Sequence, residues 1–225
     1  MPDRVLLYTI PGSHACRSAM LMLEHKEIPW RVREMVPGVQ TTTMRARGFP
    51  GRTVPAIKFD GTRVQTNRKI ARFLDELQPD PPLVPRERRE TVERAELFND
   101  GILQTITRRL VLAVARRDGS CGATGRLGPI LAHSNWRRRI AASGAYRYFG
   151  VDQEVERLDL DALPGVLDHV DGLVEAGDLN GDELTAADFE VGPSLALGAY
   201  RSDVRGQFTS RPSWALVERL LPEPR

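Results

Sequence analysis

Serine, histidine and cysteine side chains fall close together at Ser13, His14 and Cys16, directly after a Pro11-Gly12 break. The apolar run Val5-Leu6-Leu7-Tyr8 predicts a buried strand, and a helical pattern starts near His14, so these polar groups stand where a strand turns into a helix. The first turn of a helix has N–H groups without intrahelical partners and carries the positive end of the helix dipole, so it stabilises a thiolate or carboxylate held there. Ser13 has two uses at such a point. It caps the helix, worth about 1 kcal/mol, or it donates its hydroxyl to a bound anion. Cys16, three residues on, makes a Ser-x-x-Cys pattern, a redox Cys-x-x-Cys whose first nucleophile has become serine, which argues against dithiol oxidoreduction. In the first turns of a helix Cys16 reads as a small buried hydrophobe, although the dipole there favours its thiolate.

The elements that position these residues can be read along the chain. Residues 4–8 predict a strand, 14–26 a helix whose Ala19-Met20-Leu21-Met22-Leu23 segment is apolar on every side, and Pro29-Trp30-Arg31-Val32-Arg33 a second strand. A helix apolar all round needs partners on two faces, here a sheet and further helices. Residues 37–51 read as a loop with at most one short helix. Pro55 to Phe59, the Asp60-Gly61 turn and Thr62 to Gln65 predict a hairpin, followed by a helix over 67–77. The order βαβ-ββα is that of the thioredoxin-like fold.

Residues 78–86, with Pro79, Pro81, Pro82 and Pro85, cannot continue a helix and read as a linker between a first domain over 1–77 and a second over 87–225. Phe98, Ile102, Leu103, Ile106, Leu110 and Val114 then recur at helical spacing in a long helix from about Arg86 to Arg117. After a glycine-rich stretch at 118–125, helices are expected over 129–142, over 155–176 with a bend or break at Pro164-Gly165, over 184–200 and over 212–221. The helix from Leu184 has a capping box, Thr185 at the cap and Asp188 reaching back, with Leu184 and Phe189 at the positions of a hydrophobic staple. Pro193 is expected to kink it.

Three stretches together resemble one family. Pro-Gly-Ser-x-x-Cys-Arg-Ser, Pro11 to Ser18, is similar to the start of the serine-type glutathione transferases of the theta and delta classes. Thr53-Val54-Pro55-Ala56-Ile57 resembles that superfamily's Val-Pro segment, and Leu184 to Phe189 its second-domain helix start. The resemblance implies a thioredoxin-like N-terminal domain followed by an all-helical glutathione-transferase-type domain, with Ser13 as the catalytic group holding the glutathione sulfur as thiolate. The magnitudes are adequate. A thiol near 8.5 needs lowering by about two units, ~2.7 kcal/mol; a charge-assisted hydrogen bond supplies ~1.5–3 and a helix N-terminus ~0.3–1.

The same resemblance implies that a cis Val54-Pro55 bond presents the Val54 backbone to the thiol compound, and that Thr66, Asn67 and Arg68 bind its γ-glutamyl end. The family pair at that point is Glu-Ser; here Thr66-Asn67 keeps a helix cap in Asn67 but removes the negative charge, which leaves open glutathione, another small thiol, or a ligand without a free amine. His14 and Cys16 are secondary candidates near Ser13, and helical phase places Asn99, Leu103, Thr107 and Arg108 toward the cleft. The reaction implied is attack of the thiolate on an electrophilic small molecule, as in detoxification, by a homodimer. A start, Met1-Pro2-Asp3-Arg4, without a signal-peptide pattern, and no run long enough to span a bilayer, lead to the expectation of a cytoplasmic protein. Two alternatives remain open, a non-catalytic relative that binds ligands or partners and a glutathione-dependent isomerase.

Composition bounds the rest. With 225 residues, 41% hydrophobic, and a formal charge of +2, the chain can bury a core and presents no field suited to nucleic acid or a membrane surface. No apolar run approaches the ~20 residues of a membrane span. Cys16 and Cys121 lack the spacing of a disulfide scaffold, and His14, His25, His133 and His169 lack that of a metal site, so no metal is expected.

Overall fold

The computed structural model of the chain describes residues 5–36, 40–130 and 134–222. Its first part runs β1 (Val5–Thr9), α1 (His14–His25), β2 (Trp30–Glu34), α2 (Gln40–Ala46), β3 (Ala56–Phe59), β4 (Thr62–Gln65) and α3 (Asn67–Leu77). The sheet order is β2-β1-β3-β4, with β1 parallel to β2 and antiparallel to β3, and β3 antiparallel to β4. This is a thioredoxin-like sheet. The hairpin is closed by Asp60 at φ 43° and Gly61 at φ 78°, both left-handed, as a tight turn that keeps the strands' twist requires.

Residues 78–85 are irregular, and the chain beyond them is helical, without strands, throughout the described residues. A 3₁₀ turn (Arg86–Arg88) leads into α4 (Arg89–Phe98), a π-helical turn (Asn99–Leu103) and α5 (Gln104–Arg117); then come α6 (Asn135–Tyr148), α7 (Gln153–Glu175), α8 (Ala186–Gly198), α9 (Arg205–Thr209) and α10 (Trp214–Leu220). The expected single helix from Arg86 to Arg117 is therefore interrupted in hydrogen bonding at Asn99–Leu103. In a plain α-helix each step of four residues advances about 40° round the axis. The wider π turn takes that advance back, so Ala95, Asn99, Leu103 and Thr107 all remain buried.

Two other expectations shift, and one short helix was not expected. The helix expected over 129–142 begins six residues later, because Ile130 donates to the Gly122 carbonyl (2.9 Å) and Gly128 to that of Gly125 (2.9 Å), holding 122–130 as a folded loop. His133 lies outside the described residues. α7 is not broken at Pro164, which sits on its exposed side between fully buried Leu163 and Leu167 whose packing carries the helix through. α9, five residues long, is too short to show a periodicity.

The core is organised around α8, all of whose residues are buried. It packs against α1, α3, α4, α5, α9 and α10. The all-round apolar face of α1 is thereby explained, since α1 packs against both α3 and α8. The segment between the two parts is stitched to both: Lys26, fully buried, pairs with Asp75 (2.6 Å), Asp75 accepts the N–H groups of Leu83 (2.8 Å) and Val84 (2.9 Å), and the Leu83 carbonyl accepts the N–H of Ala186 (2.8 Å).

A helix start buried inside a protein must find partners for its free N–H groups. Here the capping box at Thr185 does so, and the Asp188 carboxylate, itself fully buried, accepts from Thr185 N–H (2.8 Å), Thr185 Oγ1 (2.9 Å) and Asn180 N–H (2.6 Å). Removing it strands two buried donors and one half-buried donor rather than one, at ~1–3 kcal/mol for each buried donor left unsatisfied. Asp188→Ala is expected to cost about 3 kcal/mol or more in urea unfolding, with Asp188→Asn costing less; a loss below about 1 kcal/mol would mean that water replaces the carboxylate.

Candidate functional site

The N-termini of two helices converge beside the Pro11-Gly12 turn. Ser13 is the N-cap of α1, its side-chain oxygen accepting the Cys16 N–H at 3.3 Å. That bond uses a lone pair and leaves the hydroxyl proton free to be donated. Asn67, the first residue of α3, donates from Nδ2 to the Ala15 carbonyl (3.0 Å) and so ties the start of α3 to that of α1. Asn67 is therefore not the cap of α3. That position is held by Thr66, exposed and at φ 74°, with no side-chain capping bond. The other amide atom of Asn67, Oδ1, is buried without a partner among the described residues.

Val54-Pro55 is cis. Beside it Gln65 clamps the chain, donating to Thr53 O (2.9 Å) and accepting from Gly51 N–H (2.6 Å). Among the described residues the backbone N–H and C=O of Val54 make no hydrogen bond, which leaves them available to an extended ligand. The folded loop after α5 supplies another wall: a Cβ on Gly12 would lie 2.2 Å from the Pro129 carbonyl oxygen, so only glycine, here at φ 69°, allows this close approach. Tyr200 pins that loop by accepting from Leu127 N–H (3.0 Å) and donating to Gly128 O (2.6 Å).

His14 and Cys16 point away from solvent. The His14 imidazole is buried and hydrogen-bonded to Gln104 Oε1 (3.0 Å), and burial, aided by the charge of Arg108, lowers its pKa to about 3, so it is neutral at ordinary pH. Burial pushes the Cys16 thiol up to about 11 against the help of Ser13, and the same cause takes Cys121 to about 11, so neither is a ready thiolate. Of the four cleft candidates on the long helix, the structure does not bring Asn99, Leu103 and Thr107 to the cleft. They are buried at 2%, 0% and 0% exposure, Thr107 donating back to Leu103 O (2.9 Å). The π turn keeps this stripe on the core. The stripe of Gln104 and Arg108 faces His14 instead, and Gln104 is a bridge that sequence phase did not single out.

The stretch around this geometry matches a family model. Residues 7–82 match the model of the glutathione S-transferase N-terminal domain. The first domain is that of the glutathione S-transferases. Over the whole chain the fold is also theirs. It superposes on a glutathione transferase from Phanerochaete chrysosporium with a TM-score of 0.70 at 17% identity, covering 98% of this chain and 96% of that one. A glutathione S-transferase of Ceriporiopsis subvermispora, solved in complex with glutathione, gives 0.71 at 14% identity over 96% and 95% of the two chains. One from Rhodospirillum rubrum gives 0.63 at 21% identity over 98% and 93%. No curated protein matches the sequence significantly. Among the described residues no cluster of His, Cys, Asp and Glu is arranged to hold a metal ion, and no helix is long and apolar enough to cross a membrane.

Within this glutathione transferase fold a group of buried charges joins α3, α4 and α8. Arg68 lies with Nε 3.5 Å from Glu96 Oε2, and Arg72 pairs with the other oxygen of Glu96, which is fully buried. Arg68 is thus engaged with Glu96 as well as bordering Thr66. Behind them Glu190, 1% exposed on α8, has no hydrogen-bond partner for either oxygen among the described residues. Its sequence signal was an acid inside an otherwise apolar helix. Burial first, then the neighbouring Glu96 and Asp100 carboxylates, push Glu190 well above the usual carboxylate range, and burial also raises Glu96.

The folded state therefore binds more protons here than the unfolded chain does. Stability from this source is complete below the ordinary value of 4.5 and declines as pH rises from there through the raised folded value. Glu190→Gln keeps the shape and removes the titration. It is expected to melt higher than the native protein at neutral pH and to lose that advantage toward pH ~4; a constant difference across pH would show that Glu190 does not hold the extra proton.

Proposed function

We propose that this chain is a glutathione-transferase-like enzyme that activates a low-molecular-weight thiol for attack on an electrophilic small molecule. Residues 1–77 bind the thiol, residues 87–225 supply the electrophile side, and 78–86 join them. The observation that carries the reading is Ser13 at the cap of α1: its oxygen is anchored by the Cys16 N–H, a bond that takes a lone pair and not the hydroxyl proton. A thiolate beside it gains a charge-assisted bond of ~1.5–3 kcal/mol and the positive end of α1, ~0.3–1 kcal/mol. Together these are enough to hold a thiol ionised near neutral pH. The unpaired Val54 backbone suits a peptide-like thiol, and the start of α3 offers its first N–H groups to the far end.

Support from relatives is of two kinds, the family match over 7–82 and the glutathione held by the Ceriporiopsis subvermispora structure. Homodimerisation belongs to the same proposal. A groove of about 580 Å³ lined by Thr66, Arg68, Arg72, Phe73 and Asp100 runs along α3, and the adjoining helix exposes Leu97 (56%) and Ile102 (43%). The non-catalytic ligand-binding reading draws on Thr66, whose exposed, uncharged side chain gives a ligand amine no counter-charge.

The ultraviolet absorbance of the bound thiolate, titrated with pH, separates these readings. Ser13→Ala is expected to raise the bound thiol's pKa by about one to two units, with turnover of a generic electrophile falling in step and thiol affinity changing less. Cys16→Ala is expected to leave the titration in place. An identical titration in Ser13→Ala would reduce Ser13 to a helix cap, and a bound thiol with no turnover would favour the non-catalytic reading.

A further inference from the structure

Arg108 stands one helical turn beyond Gln104 on α5, and Gln104 is hydrogen-bonded at 3.0 Å to His14, the neighbour of Ser13. Its guanidinium therefore lies on the helix face turned toward the Pro11-Gly12 turn. It is half-buried, and its carbon sits 4.7 Å over the centre of the Phe149 ring; Tyr148 meets that ring edge-on, with centroids 4.9 Å apart and planes at 88°. Tyr148 is 70% exposed, so the aromatic wall is open to an incoming molecule.

Among the described residues no carboxylate pairs with Arg108. It makes no ion pair and no hydrogen bond among them, whereas Arg109 pairs with Asp159 (3.5 Å), Arg117 with Glu156 (2.6 Å), Arg201 with Glu156 (2.7 Å) and Arg211 with Asp171 (2.7 Å). The acid that bears on Arg108 electrostatically, Asp100, is met by Gln104 Nε2 at 3.5 Å and is not within ion-pair reach of the guanidinium. His14 is neutral and adds no competing positive charge. A partly desolvated guanidinium with aromatic contact and no carboxylate is a receptor for one, since its planar fork matches a carboxylate in two parallel hydrogen bonds.

We propose that the electrophile side of this site selects aromatic carboxylates, with Arg108 holding the carboxylate and Phe149 and Tyr148 flanking the ring. This rests on the thiol-transferase reading for its reaction, but its binding test does not. Isothermal titration calorimetry in the absence of thiol would compare para-nitrobenzoate with para-nitrobenzamide, a pair of nearly one shape that differs in charge. The native protein is expected to bind the carboxylate about tenfold or more tightly than the amide. Arg108→Met, which keeps an apolar stem, should abolish that preference with amide binding retained; Arg108→Lys should keep part of it; Tyr148→Ala should weaken both ligands alike. Equal affinities in the native protein, a preference that survives Arg108→Met, or no binding of either probe would overturn the proposal. Because no thiol is present, any of these results is independent of whether Ser13 activates one.

Discussion

The structure depends on a helix start buried where water cannot reach it. α8 runs through the middle of the molecule, touching α1 and α3 on the sheet side and α4, α5, α9 and α10 on the other. Such a position offers a large apolar gain but exposes a cost, because the first N–H groups of the helix and the turn before it have no solvent to satisfy them. Asp188 meets that cost with two oxygens that take three donors. Once it is in place, the Ala186 N–H is free to bind the Leu83 carbonyl, and this couples the segment between the two parts to the central helix. The same carboxylate that caps the helix thus fixes how the sheet domain and the helices sit together.

That fixed relation is what makes a site. The sheet layer brings the starts of α1 and α3 together, joined by the bond from Asn67 to the Ala15 carbonyl, so two positive helix ends face one place. The helical layer brings Gln104 against His14 and the folded loop of Pro129 against Gly12. Ser13 lies at the seam. A hydroxyl on a mobile loop would lose the orientation that lets it donate to a sulfur; at an N-cap it is held through its own oxygen and keeps its proton available.

The seam also carries unfavourable charges. Glu190 sits beside Glu96 with no donor of its own among the described residues, in a molecule where another buried carboxylate, Asp188, is fully satisfied. A carboxyl so placed is retained at a cost to stability at neutral pH unless it keeps its proton. The contrast between the two acids on one helix shows how local the distinction is. Asp188 is at the start of α8, where backbone donors abound; Glu190, two residues on, faces Arg68 and Arg72, which are already drawn to Glu96.

Local signals were enough for the sheet, for α1 and α3, for the hairpin at Asp60-Gly61 and for the capping box at Thr185, because each depends on residues within a turn or two of one another. The Ser13 cap was legible for the same reason. What only the tertiary structure decided lies where distant segments meet. Asn67 gave up the cap position because its amide is drawn to α1, and Asn99, Leu103 and Thr107 went to the core because a π turn re-phases the long helix, a change of hydrogen bonding that side-chain periodicity does not announce. The start of α6 moved because the loop before it is bound by Tyr200 from the far end of α8. Arg108 could be placed on a helix by its spacing, but that no carboxylate among the described residues pairs with it is a property of what the other helices bring near. Sequence determines what each turn of chain prefers; packing decides which of those preferences face one another, because a side chain's partner across the fold is not encoded in its neighbours along the chain.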